Sequence, residues 1–327
     1  MVKALVTGGT GFVGSHVARA LVEGGHQIRI LHRASSKLNA LEGLVYESAL
    51  GDVTDEPALR AACEGCDWVF HVAAVADYWR ADSSYMMQVN VEGTRYVLQA
   101  AQEAGVKRVI FTSSAAAVGM RADGKPADEG EPFNQSPSHF PYAYSKVLAE
   151  ELVLEVVKKG QNVVTVNPVV VMGPGDLNKI SGEFVLTIAK WGALVPVTSG
   201  GVAVTDVRDV ARWHVAAAER GQSGQRYILG TENVAYPYWF DLIAETVGKA
   251  HPRLHVPSGL LPITADIVGL LRRLSVKVPV DSTQTRIAGK NIFFDFTRTW
   301  NELGEPQVNM KTSLRDTYEW YREHGFI

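Results

Sequence analysis

The chain has 327 residues, 46% of them hydrophobic and 20% charged, with a formal net charge of −3 and a pI near 6.3. That length suits about two domains with a sizeable core, and the charge lacks the basic footprint of a nucleic-acid or anionic-membrane binder. No run of 18 uninterrupted apolar residues occurs, so no membrane-spanning helix is expected. Met1-Val2-Lys3 leads straight into a strand-like run, which leaves no room for a signal peptide and makes a cytoplasmic location the expectation.

Residues 2–7 read as a buried strand and 12–23 as a helix that ends at Gly24-Gly25. Between them stands Gly8-Gly9-Thr10-Gly11-Phe12-Val13-Gly14, with the GxxGxxG spacing of a dinucleotide loop. Gly8 permits the tight turn. Gly11 lets the backbone approach a pyrophosphate at the helix N-terminus, and Gly14 allows close helix–sheet packing. A second strand over 27–31 ends in His32-Arg33-Ala34-Ser35-Ser36-Lys37. An acidic residue there would bind the ribose hydroxyls of NAD and repel a 2′-phosphate. Arg33 instead can fork onto that phosphate, with Lys37 or the serines assisting, so NADP(H) is expected. The bland alternative is a solvated basic loop.

A third strand is expected over 44–50. Gly51-Asp52-Val53 follows it, where Asp52 can accept from an adenine amino group and Val53 can lie against the ring. In isolation Asp52 would be an ordinary turn aspartate. Residues 55–63 suit a short helix, with Pro57 in its first turn. Cys63-Glu64-Gly65-Cys66 resembles a redox pair, but a helix-to-strand turn between two unremarkable thiols is the stronger reading, and no second pair completes a zinc site. No His spacing of the HExxH kind suggests a metal. Strands at 68–72 and 108–112 bracket a long helix over 84–104. A helix over 142–159 and a strand over 163–167 complete the alternation. Continuous apolar strands alternating with helices argue for a doubly wound parallel sheet of α/β class.

Tyr142-Ala143-Tyr144-Ser145-Lys146 opens the helix over 142–159. The spacing of four puts Tyr142 and Lys146 on one face, where the ammonium favours the phenolate and lowers the phenol pKa. Such a tyrosine protonates a carbonyl oxygen or deprotonates an alcohol. Tyr144 is excluded because its partner four residues on is Leu148. Ser114, with Ser113 as the alternate, ends the strand over 108–112 and is placed to hold the reacting oxygen. By itself it would be a serine capping a strand end.

After Pro168 the pattern changes. Gly173-Pro174-Gly175 is a strong turn. Helices are expected at 182–191, 207–220, 238–248 and 312–324, with a strand at 226–229. The stretch 256–274 is interrupted by Pro262, Asp266, Arg272 and Arg273. It reads as an amphipathic helix over a core or pocket, with a peripheral membrane contact as the lesser reading. The expected division is a dinucleotide-binding Rossmann domain over 1–168, to which about 205–230 returns, and a smaller, mostly helical substrate lobe over 169–204 and 231–327. Asp77, Tyr78, Trp79 and Arg80, with Met172, Phe184 and Trp191, are candidate pocket residues for a hydrophobic or aromatic carbonyl compound. Asn90 is expected to brace backbone rather than hold a relay water.

Together these motifs resemble the extended short-chain dehydrogenases/reductases. The glycine loop, Gly51-Asp52-Val53, His71-Val72-Ala73-Ala74, Asn90-Val91-Glu92-Gly93-Thr94, Thr112-Ser113-Ser114, Tyr142 to Lys146 and Asn167-Pro168 occur in that family's order. The closest likeness is to its dihydroflavonol-4-reductase-like group of aldehyde and ketone reductases. The resemblance implies that Ser114, Tyr142 and Lys146 are catalytic, that Ala73, Ala74 and Pro168 touch the cofactor, and that Lys146 holds the nicotinamide ribose. It also implies a homodimer through the helices over 84–104 and 142–159, and a small-molecule carbonyl or alcohol substrate.

Nucleotide-sugar epimerases and dehydratases of the superfamily share the tyrosine and lysine but keep a tightly bound NAD. His32-Arg33 argues against them. So does Val202, which stands where those enzymes carry an arginine for the sugar-nucleotide diphosphate. A non-catalytic NADP-binding sensor is the remaining alternative, and the presence of all three catalytic residues weighs against it.

Overall fold

The computed structural model describes residues 1–76, 82–273 and 282–327. Its first half alternates β1 (Lys3–Thr7), α1 (Phe12–Glu23), β2 (Gln27–His32), β3 (Glu47–Leu50), α2 (Glu56–Cys63) and β4 (Trp68–His71). Then follow α3 (Ser83–Met87), α4 (Gly93–Glu103), β5 (Arg108–Thr112), α5 (Pro141–Lys158) and β6 (Val163–Pro168). Asp55 caps α2 by accepting from the Ala58 N–H. The helix expected over 84–104 is interrupted by a π-helical turn at Gln88–Glu92. Such a turn inserts an extra residue and re-aims its side chains. The third strand is shorter than expected and largely exposed, as befits a sheet edge.

The second half contains β7 (Val170–Met172), α6 (Glu183–Trp191), β8 (Pro196–Val197), β9 (Gly201–Asp206), α7 (Val207–Arg220), β10 (Arg226–Leu229) and β11 (Glu232–Ala235). It continues with α8 (Tyr236–Val247), β12 (Leu254–His255), α9 (Leu261–Arg273), α10 (Ser282–Ile287), β13 (Asn291–Ile292), α11 (Thr297–Leu303) and α12 (Met310–Glu323). Among the described residues no helix is long and apolar enough to cross a membrane.

Seven parallel strands form the main sheet in the order β10-β6-β5-β4-β1-β2-β3. β1 pairs with β2 on one side and β4 on the other, so the order in which successive parallel strands are added reverses beside β1. Ligands of open α/β sheets bind at the carboxyl ends of strands beside such a switch point. One face of the sheet packs on α1 and α7 through Val17, Leu21, Val210 and Trp213. The other packs on α2, α4 and α5 through Leu59, Val97, Leu98 and Val153. Burying each such side chain stabilises the fold by roughly 1.5–3 kcal/mol.

The remaining segments build a smaller lobe with its own core around Val185, Ile188, Trp239, Ile243 and Leu314. It is mostly helical, but β7, β11 and β13 all pair with β9, a small sheet that the sequence pattern does not reveal. A further cluster of Ala115, Val118, Ala203, Ile228, Phe294 and Phe296 joins the loop after β5 to this lobe. α9 buries Leu261, Ala265 and Val268 and exposes Ile263, Ile267 and Leu270. Cys63 and Cys66 are buried free thiols, and burial pushes the Cys63 thiol up to about 12.

Candidate active site

Gly8 adopts φ +71, and a Cβ there would lie 2.6 Å from the backbone nitrogen of Ala73. The loops after β1 and β4 therefore touch at the switch point, where the Ala73 N–H donates to Thr7 Oγ1 at 3.2 Å. A Cβ at Gly14 would collide with the Gly8 carbonyl. The turn is closed by the Gly11 N–H donating to the Gly8 carbonyl at 2.9 Å. Gly11 caps α1 without a side-chain bond, and no acidic residue lies in the first turn. The first N–H groups of α1 thus face outward with a partial positive charge, suited to an anionic group. Thr10 lies in the same turn, and Phe12 and Val13 begin α1, half-packed on the core. These residues fit a dinucleotide: the cradle excludes side chains, and its electrostatics favour phosphate.

Arg33 is exposed just beyond β2, with its Nε 3.9 Å from Asp52 Oδ2 and its Nη1 donating to the Tyr85 hydroxyl at 3.4 Å. Asp52 Oδ1 accepts from the Thr54 N–H at 3.0 Å and from its hydroxyl at 2.8 Å. Asp52 therefore braces its own turn and keeps only Oδ2 toward Arg33. Lys37 is exposed on the same loop. Val53 is buried against Gly93 at the start of α4. Ala73 and Ala74 are partly exposed after β4, and Pro168 is buried where β6 pairs with β10.

Tyr142 and Lys146 occupy the first turns of α5, which Pro141 opens. The Tyr142 phenol is hydrogen-bonded to Ser114. Ser114 also caps the short 3-10 turn at Ala115–Ala117, its Oγ accepting from the Ala116 N–H at 3.2 Å. Lys146 is buried, and its Nζ donates to the Thr112 carbonyl at 2.9 Å and sits 5.3 Å above the Phe111 ring. The structure thus brings Ser114, Tyr142 and Lys146 together at the carboxyl end of β5.

One electrostatic expectation fails. Burial raises the Tyr142 phenol above its usual value, the Ser114 hydrogen bond opposes this, and Lys146 is not among the causes. The ammonium is spent on the Thr112 carbonyl, and its own pKa falls to about 8 through burial, with Glu150 acting to raise it.

Asn90 braces backbone, as expected. Its Oδ1 accepts from the Val75 N–H at 2.8 Å, and its Nδ2 donates to the Val75 carbonyl at 3.1 Å and to Ser145 Oγ at 3.0 Å. Ser145 in turn donates to the Tyr142 carbonyl at 2.7 Å, so the π-helical turn reaches the tyrosine through two side chains. His71 bridges Thr7 and Thr94 at 2.9 and 3.0 Å, and burial lowers its pKa to about 3. His214 bridges Thr112 Oγ1 and the Val210 carbonyl at 2.9 and 2.8 Å, and burial lowers it to about 4.

Three pocket candidates belong to the smaller lobe. Met172 is buried in the lobe core, and Phe184 packs 4.9 Å from the Trp239 ring. Trp191 is exposed with Lys190 over its ring. Asp77, Tyr78, Trp79 and Arg80 lie outside the described residues. Sequence reasoning missed Glu150, which is buried on α5 and bonded to Ser113, Asn167 and Arg226. Its signal was a carboxylate among the buried positions Ala149, Leu152 and Val153, four residues past Lys146.

The model of the NAD dependent epimerase/dehydratase family matches residues 4–230. A putative dihydroflavonol 4-reductase of Synechocystis sp. is 36% identical over 335 residues, covering 98% of this chain and 95% of its own. Sterol demethylase protein B of Methylococcus capsulatus is 32% identical over 332 residues, covering 99% of each. The crystal structure of gox2253 matches with a TM-score of 0.87 at 36% identity, covering 99% of each chain. With its glycine cradle, its Ser-Tyr-Lys cluster and these likenesses, the chain belongs to the NAD dependent epimerase/dehydratase family of extended short-chain dehydrogenases/reductases, in the dihydroflavonol-4-reductase-like group.

Proposed function

We propose that this oxidoreductase interconverts an aldehyde or ketone and the corresponding alcohol with NADP(H). The observation that carries the reading is the hydrogen bond between Tyr142 and Ser114, beside a buried Lys146 anchored on the same strand end. When bound, the nicotinamide supplies or accepts the hydride. Ser114 holds the carbonyl oxygen, Tyr142 donates the proton to that oxygen, and Lys146, anchored on the Thr112 carbonyl, holds the nicotinamide ribose. The raised phenol suits a proton donor, because the proton is present at neutral pH.

The preference for NADP(H) rests on Arg33 and Lys37 at the end of β2. Asp52 is braced on Thr54 and offers Oδ2 to the adenine amino group, while Gly8, Thr10, Gly11 and Gly14 admit the pyrophosphate. Ala73, Ala74 and Pro168 border the nicotinamide end. Residues 1–168 with 205–230 form the cofactor half in this reading, and 169–204 with 231–327 the substrate lobe. The names of the two curated relatives, a reductase and a sterol-demethylating protein, favour an apolar carbonyl compound.

A sugar-nucleotide reading is less supported. Val202 is buried in β9. Arg208 is paired with Asp206 and Asp316, and Arg212 with Asp209. These cations are committed to the fold rather than to a diphosphate. A homodimer through α4 and α5 rests on the family likeness; the groove between these helices is lined by Leu98, Leu152 and Val156 together with Arg95, Gln99, Gln102, Glu155 and Lys159, and sedimentation would test the pairing. The reductase reading itself is tested by offering aldehydes and ketones with NADPH and NADH side by side. Stoichiometric NADPH oxidation is expected, and Tyr142→Phe should abolish it while cofactor binding survives. Isomerisation without net cofactor consumption would overturn the reading.

A further inference from the structure

α5 carries a third buried polar side chain beneath Tyr142 and Lys146. Glu150 Oε1 accepts from Ser113 Oγ at 2.5 Å and from Asn167 Nδ2 at 2.7 Å, and its Oε2 accepts from Arg226 Nη1 at 3.0 Å. Ser113 lies just past β5, Asn167 in β6 and Arg226 at the start of β10. One carboxylate therefore ties three neighbouring strands to the helix that carries the tyrosine and lysine. Asn167 Nδ2 also donates to the Ser114 carbonyl at 3.0 Å. The Glu150–Asn167–Ser114 chain ends on the residue whose side chain meets the phenol.

We infer that Glu150 is a positioning residue for the reaction, fixing Ser114 against Tyr142 through Asn167 and facing Lys146 along the same side of α5. This rests on the reductase reading. The spacing supports it: residues 142, 146 and 150 recur every four positions on one helical face. Charge supports it as well. Burial pushes Lys146 down to about 8, and Glu150 is the group that opposes the fall. Around Lys146 stand Tyr142 on its own helix, His71 from β4 and, through Thr112, His214 from α7. Both histidines are neutral at pH 7 because burial holds them near 3 and 4. Arg226 lies on the far side of Glu150 and offsets part of its charge. Three charge-assisted bonds on one buried carboxylate fix its place, and a misplaced reacting group costs up to about 100-fold in rate.

Glu150→Gln keeps the shape and removes the charge. Expected are a fall in kcat of about 10- to 100-fold, an almost unchanged NADPH dissociation constant, and an alkaline limb of the kcat profile moved to lower pH. Asn167→Ala cuts the link to Ser114 and leaves the charge, so kcat should fall while the alkaline limb stays in place. If Glu150→Gln does not fold, Asn167→Ala decides alone. Wild-type kcat and pH profile in both variants, with only a lowered Tm, would make Glu150 merely structural and overturn the inference.

Tyr142→Phe, run alongside, reports on the reductase reading separately. Should the wild type reduce no carbonyl, the titration of 13C-labelled Lys146 by NMR still decides. A lower midpoint in Glu150→Gln supports the role, and an unchanged midpoint overturns it.

Discussion

The Lys146 ammonium donates to the Thr112 carbonyl at 2.9 Å, so the end of β5 and the second turn of α5 are held by one buried hydrogen bond. This fixes a pH dependence. With Lys146 lowered to about 8, the ammonium is present at pH 7 and is lost above about pH 8. Turnover in the reductive direction should therefore decline above that pH, and Lys146→Met should remove the decline together with most of the activity. A kcat profile between pH 6 and 10 checks this.

Acid should destabilise the fold through two histidines outside the chemistry. His71 and His214 are buried and held near 3 and 4 by desolvation, whereas an unfolded histidine titrates near 6.5. Between these values the unfolded chain binds more protons. The stability is present above about pH 6.5 and is lost as pH falls toward the folded values. At pH 5 the loss is about 2 kcal/mol per histidine. Urea unfolding at pH 7 and pH 5 measures it, and His214→Gln should flatten the slope by about one proton.

Gly8→Ala places a side chain in the left-handed region, at a cost of roughly 1–2 kcal/mol, and drives its Cβ into the Ala73 backbone. The loop after β1 must then separate from the loop after β4. Melting should show a modest drop in Tm. Cofactor fluorescence should show a much larger loss of dinucleotide affinity, because the loop is the cradle.

Among the described residues the Arg33 side chain makes one exposed hydrogen bond, to Tyr85, and a near contact with Asp52, so its removal should scarcely change stability. Hydrogen bonds to charged groups contribute about 1.5–3 kcal/mol. Arg33→Ala should therefore weaken NADPH binding by roughly 10- to 100-fold and leave NADH binding nearly unchanged. Equal losses for the two cofactors in a titration would reject the 2′-phosphate role.

What the sequence made legible was local. The glycine spacing, the turn residues and the apolar runs identify α1, β5 and β10 to the residue, since each rests on neighbours in the chain. The Tyr142/Lys146 pair was readable for the same reason. What was hidden depends on distant partners. β7, β11 and β13 are strands because β9 pairs with them. The π-helical turn at Gln88–Glu92 exists where Asn90 reaches Val75 and Ser145. The phenol shift was misjudged because the spacing of four gives the face that Lys146 occupies, not the carbonyl on which its ammonium is spent.

The pairing of Glu150 with Arg226 also constrains biosynthesis. The two residues are 76 positions apart, and Arg226 opens the strand that closes the main sheet. While the chain emerges from the ribosome, α5 is complete long before its counter-charge has been made. The nucleotide half therefore cannot finish as an autonomous N-terminal unit. A nascent chain stalled before residue 226 should remain protease-sensitive at β6, and one released after residue 230 should not.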